Sequence, residues 1–244
     1  MARMDGASVD LVVTSPPYDD MRTYNGYSFN FPIVAEELFR VMKDGAVMVW
    51  VVNDSTVDGS ETGTSFRQAL HFMDMGYNLH DTMIWYKPNA FNFGSNLCYR
   101  QTFEYMFVLS KGRPKSINLI KDIPTKGAPG PRRGGRKHAD GTRDDYVYVQ
   151  DEVKRRDNVW CYYVGQEDTD HPAVFPLDLA KDMIRSWSDP GDVVYDPFMG
   201  SGTTAVAATM LRRRWIGSEI SEEYCKGIEE RLKPYKGYRT LEDF

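Results

Sequence analysis

The chain has 244 residues, which suits one large domain or one domain with an insertion, and its 41% hydrophobic content supports a full core. No apolar run nears the roughly 20 residues that cross a bilayer, and the first residues lack the apolar stretch of a signal peptide. A cytoplasmic protein with no membrane partner is therefore the expectation. The net charge of −5 argues against nucleic acid until its distribution is read: residues 111–158 carry 13 Lys and Arg against 7 Asp and Glu, and the rest of the chain carries 17 against 28. The three cysteines (Cys98, Cys161, Cys225) are odd in number and far apart, and the four histidines form no HExxH, so neither a disulfide framework nor a metal site is expected.

In chain order, residues 9–13 read as a short buried strand that ends in Ser15-Pro16-Pro17-Tyr18. Residues 32–42 read as a helix with Pro32 in its first turn and Val34, Leu38 and Met42 on one face, stopped by Asp44-Gly45. The apolar run 46–52 is a buried strand, ending at Asn53-Asp54-Ser55, which could line a pocket at the same edge. A second helix spans 65–75, with Phe66, Leu70 and Met73 as its apolar face and Gly76 as its stop. Residues 79–86 and 103–109 are strand-like, and Trp85 is assigned to the core. Residues 111–158 show no period; Gly, Pro and basic residues dominate, most densely in "GAPGPRRGGRKH", which reads as a basic, loop-rich insertion. Regular structure returns with a helix at 177–187, a strand at 192–195, a helix at 203–213, a strand at 215–218 and a helix at 222–232. The alternation predicts an α/β fold around a mostly parallel sheet.

Two stretches carry the chemistry. "DVVYDPFMGSGTTAVAA" (192–208) is a strand, a glycine turn and a helix of small residues. Gly200 and Gly202 permit a tight turn and close backbone approach, and the helix start presents free N–H groups. The spacing is neither the dinucleotide GxGxxG nor a phosphate loop, since no Gly-Lys-Ser/Thr follows. The next strand ends at Glu219, where a carboxylate can accept two ribose hydroxyls. The pattern suits a nucleoside without a pyrophosphate.

"TSPPY" followed by "DPFMGSGTT" resembles the amino-group DNA methyltransferases that use S-adenosylmethionine, in the circularly permuted β-class order: catalytic motif, basic insertion, cofactor motif. "HPAVFPLDLAKDMI" resembles the family segment that folds over the methionine part of the cofactor. The resemblance implies a Rossmann-like methyltransferase sheet, with 1–110 as the catalytic half, 111–158 as the target-recognition insertion and 159–244 as the cofactor half. It implies Ser15, Pro16, Pro17 and Tyr18 as catalytic residues. Thr14, His171, Pro172, Phe175, Asp196, Pro197, Phe198, Gly200, Ser201, Gly202, Thr203, Thr204 and Glu219 are implied for the cofactor, which leaves as S-adenosylhomocysteine. Arg132, Arg133, Arg136 and Lys137 are implied for double-stranded DNA. Asp196 could instead brace the turn, and Phe198 could be core.

Family members with Ser at the first motif position, preceded by Thr, mostly methylate cytosine N4, and those with Asp mostly adenine N6. Thr14-Ser15 therefore favours N4-methylcytosine, as in restriction-modification systems. Adenine N6, a protein glutamine amide and a silent DNA-binding relative stand as the alternatives. In one departure, only eight residues precede Val9, where the family carries a further strand. That would leave a sheet edge open for a second copy of the chain, a homodimer.

Overall fold

The computed structural model describes residues 1–17, 30–90, 98–165 and 176–235. The chain divides into two compact units, Met1–Asn118 with Asn158–Phe244, and Leu119–Asp157.

The first unit is built on β1 (Val9–Thr14), whose six residues are all buried because helices cover both of its faces. Helix α1 (Phe31–Val41) follows, capped by the Asn30 side chain accepting from the Ile33 N–H, with Pro32 in the first turn, where a missing N–H costs nothing. Strand β2 (Met42–Val52) begins earlier than its apolar run suggests. Asp44-Gly45, read as a helix stop, lies inside the strand: Gly45 takes φ +82 there, and pairing with β1 shifts register across it. A two-residue ladder, β3 (Thr56–Val57) with β4 (Ser60–Glu61), leads into helix α2 (Thr64–Asp74), strand β5 (Asn78–Tyr86) and strand β6 (Phe103–Ser110).

The unit resumes with β11 (Val159–Cys161), α3 (Leu177–Trp187), β12 (Val193–Asp196), α4 (Thr203–Met210), β13 (Arg214–Gly217) and α5 (Glu222–Leu232). The sheet order is β11-β5-β6-β2-β1-β12-β13. Every neighbouring pair is parallel except those made by β6. The C-terminal ends of β1, β2, β5, β12 and β13 therefore meet at one edge, together with the start of β6. In parallel α/β sheets that edge is where ligands sit.

Alternation along the strands sorts the core. Val12, Met48, Trp50 and Val52 join Leu38, Phe72 and Tyr195 in one buried cluster. Leu11, Val13, Val47, Val49 and Val51 point the other way and are equally buried, on the side where α3 meets β1.

Helix α2 corrects the sequence reading. Its Phe66, Leu70 and Met73 are 48%, 59% and 44% exposed, and Ser65, Gln68, Ala69 and Phe72 are buried in their place. The cause is one polar residue at a core position. The Trp50 indole N–H donates to Gln68 Oε1 at 2.8 Å, so a glutamine is held inside and the helix turns its apolar stripe outward. Trp85 is buried, as expected, and its indole N–H donates to the Tyr162 carbonyl.

In the Leu119–Asp157 unit, the segment read as loop-rich carries two antiparallel ladders. One joins β7 (Lys121–Pro124) to β10 (Val153–Arg155), and the other joins β8 (Gly130–Lys137) to β9 (Arg143–Gln150). Among the described residues no helix is long and apolar enough to cross a membrane.

Candidate active site

The site lies where β1 and β12 end side by side. Leu11 pairs with Val194 and Val12 with Tyr195, so Thr14 and Asp196 leave the sheet as neighbours. The Asp196 carboxylate is 1% exposed and holds three hydrogen bonds. Oδ1 accepts from Thr14 Oγ1 at 2.7 Å and from the Phe198 N–H at 3.0 Å, and Oδ2 accepts from Thr204 Oγ1 at 2.8 Å. Thr14 is fully buried and Thr204 nearly so. Burial pushes the Asp196 carboxyl up to about 6, against the pull of Thr14, Thr204 and the Phe198 N–H, with the Glu219 charge adding to the rise. These bonds tie the end of β1 to the turn and to the start of α4.

Beyond Asp196 the chain runs Pro197-Phe198-Met199 into the turn. Phe198 is partly buried and meets Trp50 at 6.5 Å between ring centroids, so it packs against the core. Gly200 takes φ +53 and Gly202 φ +81, both left-handed, and Gly202 is the residue from which α4 starts. A side chain at Gly202 would also meet Ile228 of α5 at 3.0 Å, so this glycine is demanded both by backbone angle and by space. Two features of the turn escaped the sequence reading. Arg231 of α5 donates to the Ser201 carbonyl at 3.1 Å and to Thr203 Oγ1 at 2.9 Å. Gly217, ending β13, leaves room for Met199, whose methyl would lie 1.9 Å from any Cβ placed there. Only the i, i+3 spacing from Ile228 hints that Arg231 shares the face turned to the glycines.

Glu219 stands directly beside this turn. Its Oε2 accepts from the Gly200 N–H at 2.7 Å, and its Oε1 from the Ile220 and Ser221 N–H groups at 2.9 Å. Three of roughly four lone-pair sites are thus occupied by backbone. Asn53, read as a pocket residue, is committed too: its amide donates to the Phe103 carbonyl and its Oδ1 accepts from Gln101 and from the Asp54 N–H. Asp54 accepts from Ser65 N and Oγ, which pins the start of α2.

The chain leaves β1 at Ser15, half-buried, followed by buried Pro16 and half-buried Pro17. Tyr18, His171, Pro172 and Phe175 lie outside the described residues. Arg132, Arg133, Arg136 and Lys137 all lie on β8, in the other unit. Pairing with β9 sorts them by face. Arg132, Gly134 and Arg136 stand with Tyr148, Tyr146 and Asp144, and Arg133, Gly135 and Lys137 stand with Val147, Asp145 and Arg143.

A DNA methylase family model, covering the amino-group N6 and N4 enzymes, matches residues 9–230. The chain belongs to the DNA methylases. The orphan methyltransferase M.BamHII of Bacillus amyloliquefaciens is 50% identical to this methylase, over 95% of each chain. The type II methyltransferase M.BglII of Bacillus subtilis is 30% identical over 89% of the chain, which spans 61% of that protein's length. Among solved structures, a DNA modification methylase from Thermus thermophilus superposes with a TM-score of 0.64 at 26% identity, covering 96% of this chain and 90% of that one. The cytosine-N4-specific PvuII DNA methyltransferase superposes with a TM-score of 0.65 at 19% identity, covering 98% and 89%, which shows a shared fold.

The methylase is therefore an amino-group DNA methyltransferase with the Rossmann-like sheet of S-adenosylmethionine enzymes. Its own residues fit that donor: a left-handed glycine turn opening a helix, a carboxylate at the end of the next strand, and no lysine in the turn for a phosphate. Among the described residues no three His, Cys, Asp or Glu side chains converge to hold a metal.

Proposed function

We propose that this methylase modifies the N4 amino group of cytosine in a short duplex DNA sequence. The observation that supports the reading is Ser15, which follows Thr14 at the end of β1, the strand that pairs in parallel with β12 ahead of the Gly200 and Gly202 turn. An exocyclic amine is a poor nucleophile because its lone pair is delocalised into the ring. Two acceptors that take its N–H bonds in a pyramidal arrangement localise that pair. Ser15 Oγ and the Pro16 carbonyl are the acceptors, and the fixed φ of Pro16 and Pro17 keeps them in place before the base arrives. Tyr18 would give the extruded base a face to stack on. S-adenosylmethionine supplies an electrophilic methyl on a sulfonium. Ser15 is no general base at neutral pH, so the surplus proton passes to water after transfer.

On the donor side, the N–H groups at the start of α4 would hold the polar end of the cofactor, and Glu219 would accept from the ribose hydroxyls. His171, Pro172 and Phe175 would close over the methionine chain. The Leu119–Asp157 unit would recognise the target. A two-stranded ribbon such as β8–β9 fits the major groove, where Arg132, Arg133, Arg136 and Lys137 meet phosphates and guanine edges. The half-exposed edge strand β13 is where a second copy would pair. A DNA substrate puts the enzyme in the cytoplasm with the nucleoid.

The test is mass spectrometry of nucleosides from DNA incubated with the protein and S-adenosylmethionine. N4-methylcytosine is the expected product. N6-methyladenine would retain the acceptor chemistry and overturn the assignment drawn from Ser15.

A further inference from the structure

The catalytic loop and the donor turn come from sequence segments some 180 residues apart, yet methyl transfer needs them held at one separation. Reacting atoms must sit about 3 to 3.5 Å apart in line, and an error of about 1 Å can cost on the order of a hundredfold in rate. Backbone pairing between β1 and β12 ends near Val12 and Tyr195, before either functional segment begins. What continues past the last rung is side-chain bonding. Thr14 Oγ1 reaches Asp196 Oδ1 at 2.7 Å, and Thr204 Oγ1 reaches Asp196 Oδ2 at 2.8 Å. Thr204 Oγ1 also lies 3.4 Å from the Val13 carbonyl, on the catalytic strand itself. The same carboxylate fixes the turn through the Phe198 N–H. All three side chains are essentially closed to solvent, so no water competes for these bonds.

We infer that Thr14, Asp196 and Thr204 form a positioning clamp that sets the separation between the amine-accepting loop at Ser15 and the donor turn at Gly200–Gly202. The clamp touches neither base nor donor, which distinguishes it from the cofactor-ligand role that the resemblance implies for these three residues. A buried carboxylate suits the task. One oxygen reaches β1 and the turn, the other reaches α4, and the rigid planar group fixes the angle between them. Its position by the start of α4 adds a favourable interaction with the helix dipole. Thr14 is the residue immediately before Ser15; its backbone is paired with Trp50 of β2, and its hydroxyl is its tie to Asp196 on the donor side. A valine in its place keeps the shape and removes the bond.

The inference rests on the methyl-transfer reading but not on which base is modified. The test therefore counts labelled methyl groups transferred to unmethylated bacterial genomic DNA, while nucleoside analysis reports the base separately. Single-turnover rate, S-adenosylmethionine affinity by calorimetry and thermal midpoint are compared for wild type, Thr14→Val, Thr14→Ala and Thr14→Ser. The clamp predicts that Thr14→Val lowers the single-turnover rate at least tenfold with donor affinity within twofold, and that Thr14→Ser recovers the rate to within threefold of wild type. Thr14→Ala stands in for Thr14→Val if the valine variant does not fold. A lower midpoint with an unchanged single-turnover rate would reduce the three residues to a structural brace and overturn the inference. A parallel loss of rate and donor affinity would make Thr14 a cofactor ligand and overturn it equally.

Discussion

The edge around Asp196 and the β8–β9 ribbon are held together in opposite ways. At the edge, side-chain bonds tie one element to another: a buried one joins Thr14 to Asp196, 182 residues away, and part-buried ones join Gly200 to Glu219 and Thr203 to Arg231. In the ribbon, a ladder between two strands close in sequence holds the backbone, and the side chains project into solvent, Val147 and Val149 each 69% exposed. The first region suits chemistry that tolerates little displacement. The second leaves its side chains open to solvent, where they can be exchanged while the ladder persists.

The contrast can be broken most forcefully at Gly202. Gly202→Ala forces a Cβ into a left-handed residue and against Ile228. The strain and overlap together should cost roughly 2 to 5 kcal/mol, seen as a thermal midpoint lowered by about 10 °C and weaker S-adenosylmethionine binding. A midpoint within error of wild type would mean the turn is looser than its contacts indicate.

Asp196 gives the next largest effect, and its sign can be worked out. Its carboxyl is raised from 3.8 to about 6 in the fold, so the folded protein holds the proton more tightly than the unfolded chain. Burying the charge costs about 3 kcal/mol at pH 7, a cost relieved as pH falls from about 6 towards 4. Urea unfolding of wild type and Asp196→Asn across that window should show wild type gaining on the variant as the solution is acidified. A difference independent of pH would contradict the raised value.

Changing Arg132, Arg133 and Arg136 together to Ala tests the other region. DNA affinity should fall at least tenfold, and the slope of log affinity against log salt should flatten by about 2 to 3, with donor affinity and thermal midpoint unchanged. An unchanged slope would move phosphate binding off the ribbon. The smallest effect sharpens the boundary of the core: Leu70→Gln, on the outward face of α2, should change stability by no more than about 0.5 kcal/mol. A loss of several kcal/mol would restore the apolar stripe to the interior.

That helix shows what the sequence leaves hidden. Periodicity finds α2 within one residue at each end, but it assigns the buried face by hydrophobicity, and Gln68 is buried through a bond to Trp50 that no local pattern encodes. The 111–158 segment misled for a related reason. Strand β8 is glycine- and arginine-rich, and neither face of β8 or β9 is buried, so the apolar–polar alternation that marks a half-buried strand is absent. The edge where β1 and β12 end was legible because its cues are local: a run of β-branched residues before Ser15-Pro16-Pro17, and glycines at the two positions that turn left-handed. The partners of those cues were not. Arg231, Met199 with Gly217, and the Thr14–Asp196 bond depend on how α5, β13 and β1 come together, which only the folded chain specifies.

The central claim is that the loop at Ser15 activates the target amine and does not bind the donor. Its most direct test is Ser15→Ala, followed by single-turnover methyl transfer and by calorimetry with S-adenosylmethionine on the same preparation. A rate lower by on the order of a hundredfold or more with donor affinity unchanged is expected. A wild-type rate would contradict the acceptor role of Ser15, and a loss of donor affinity would place Ser15 on the other side of the site.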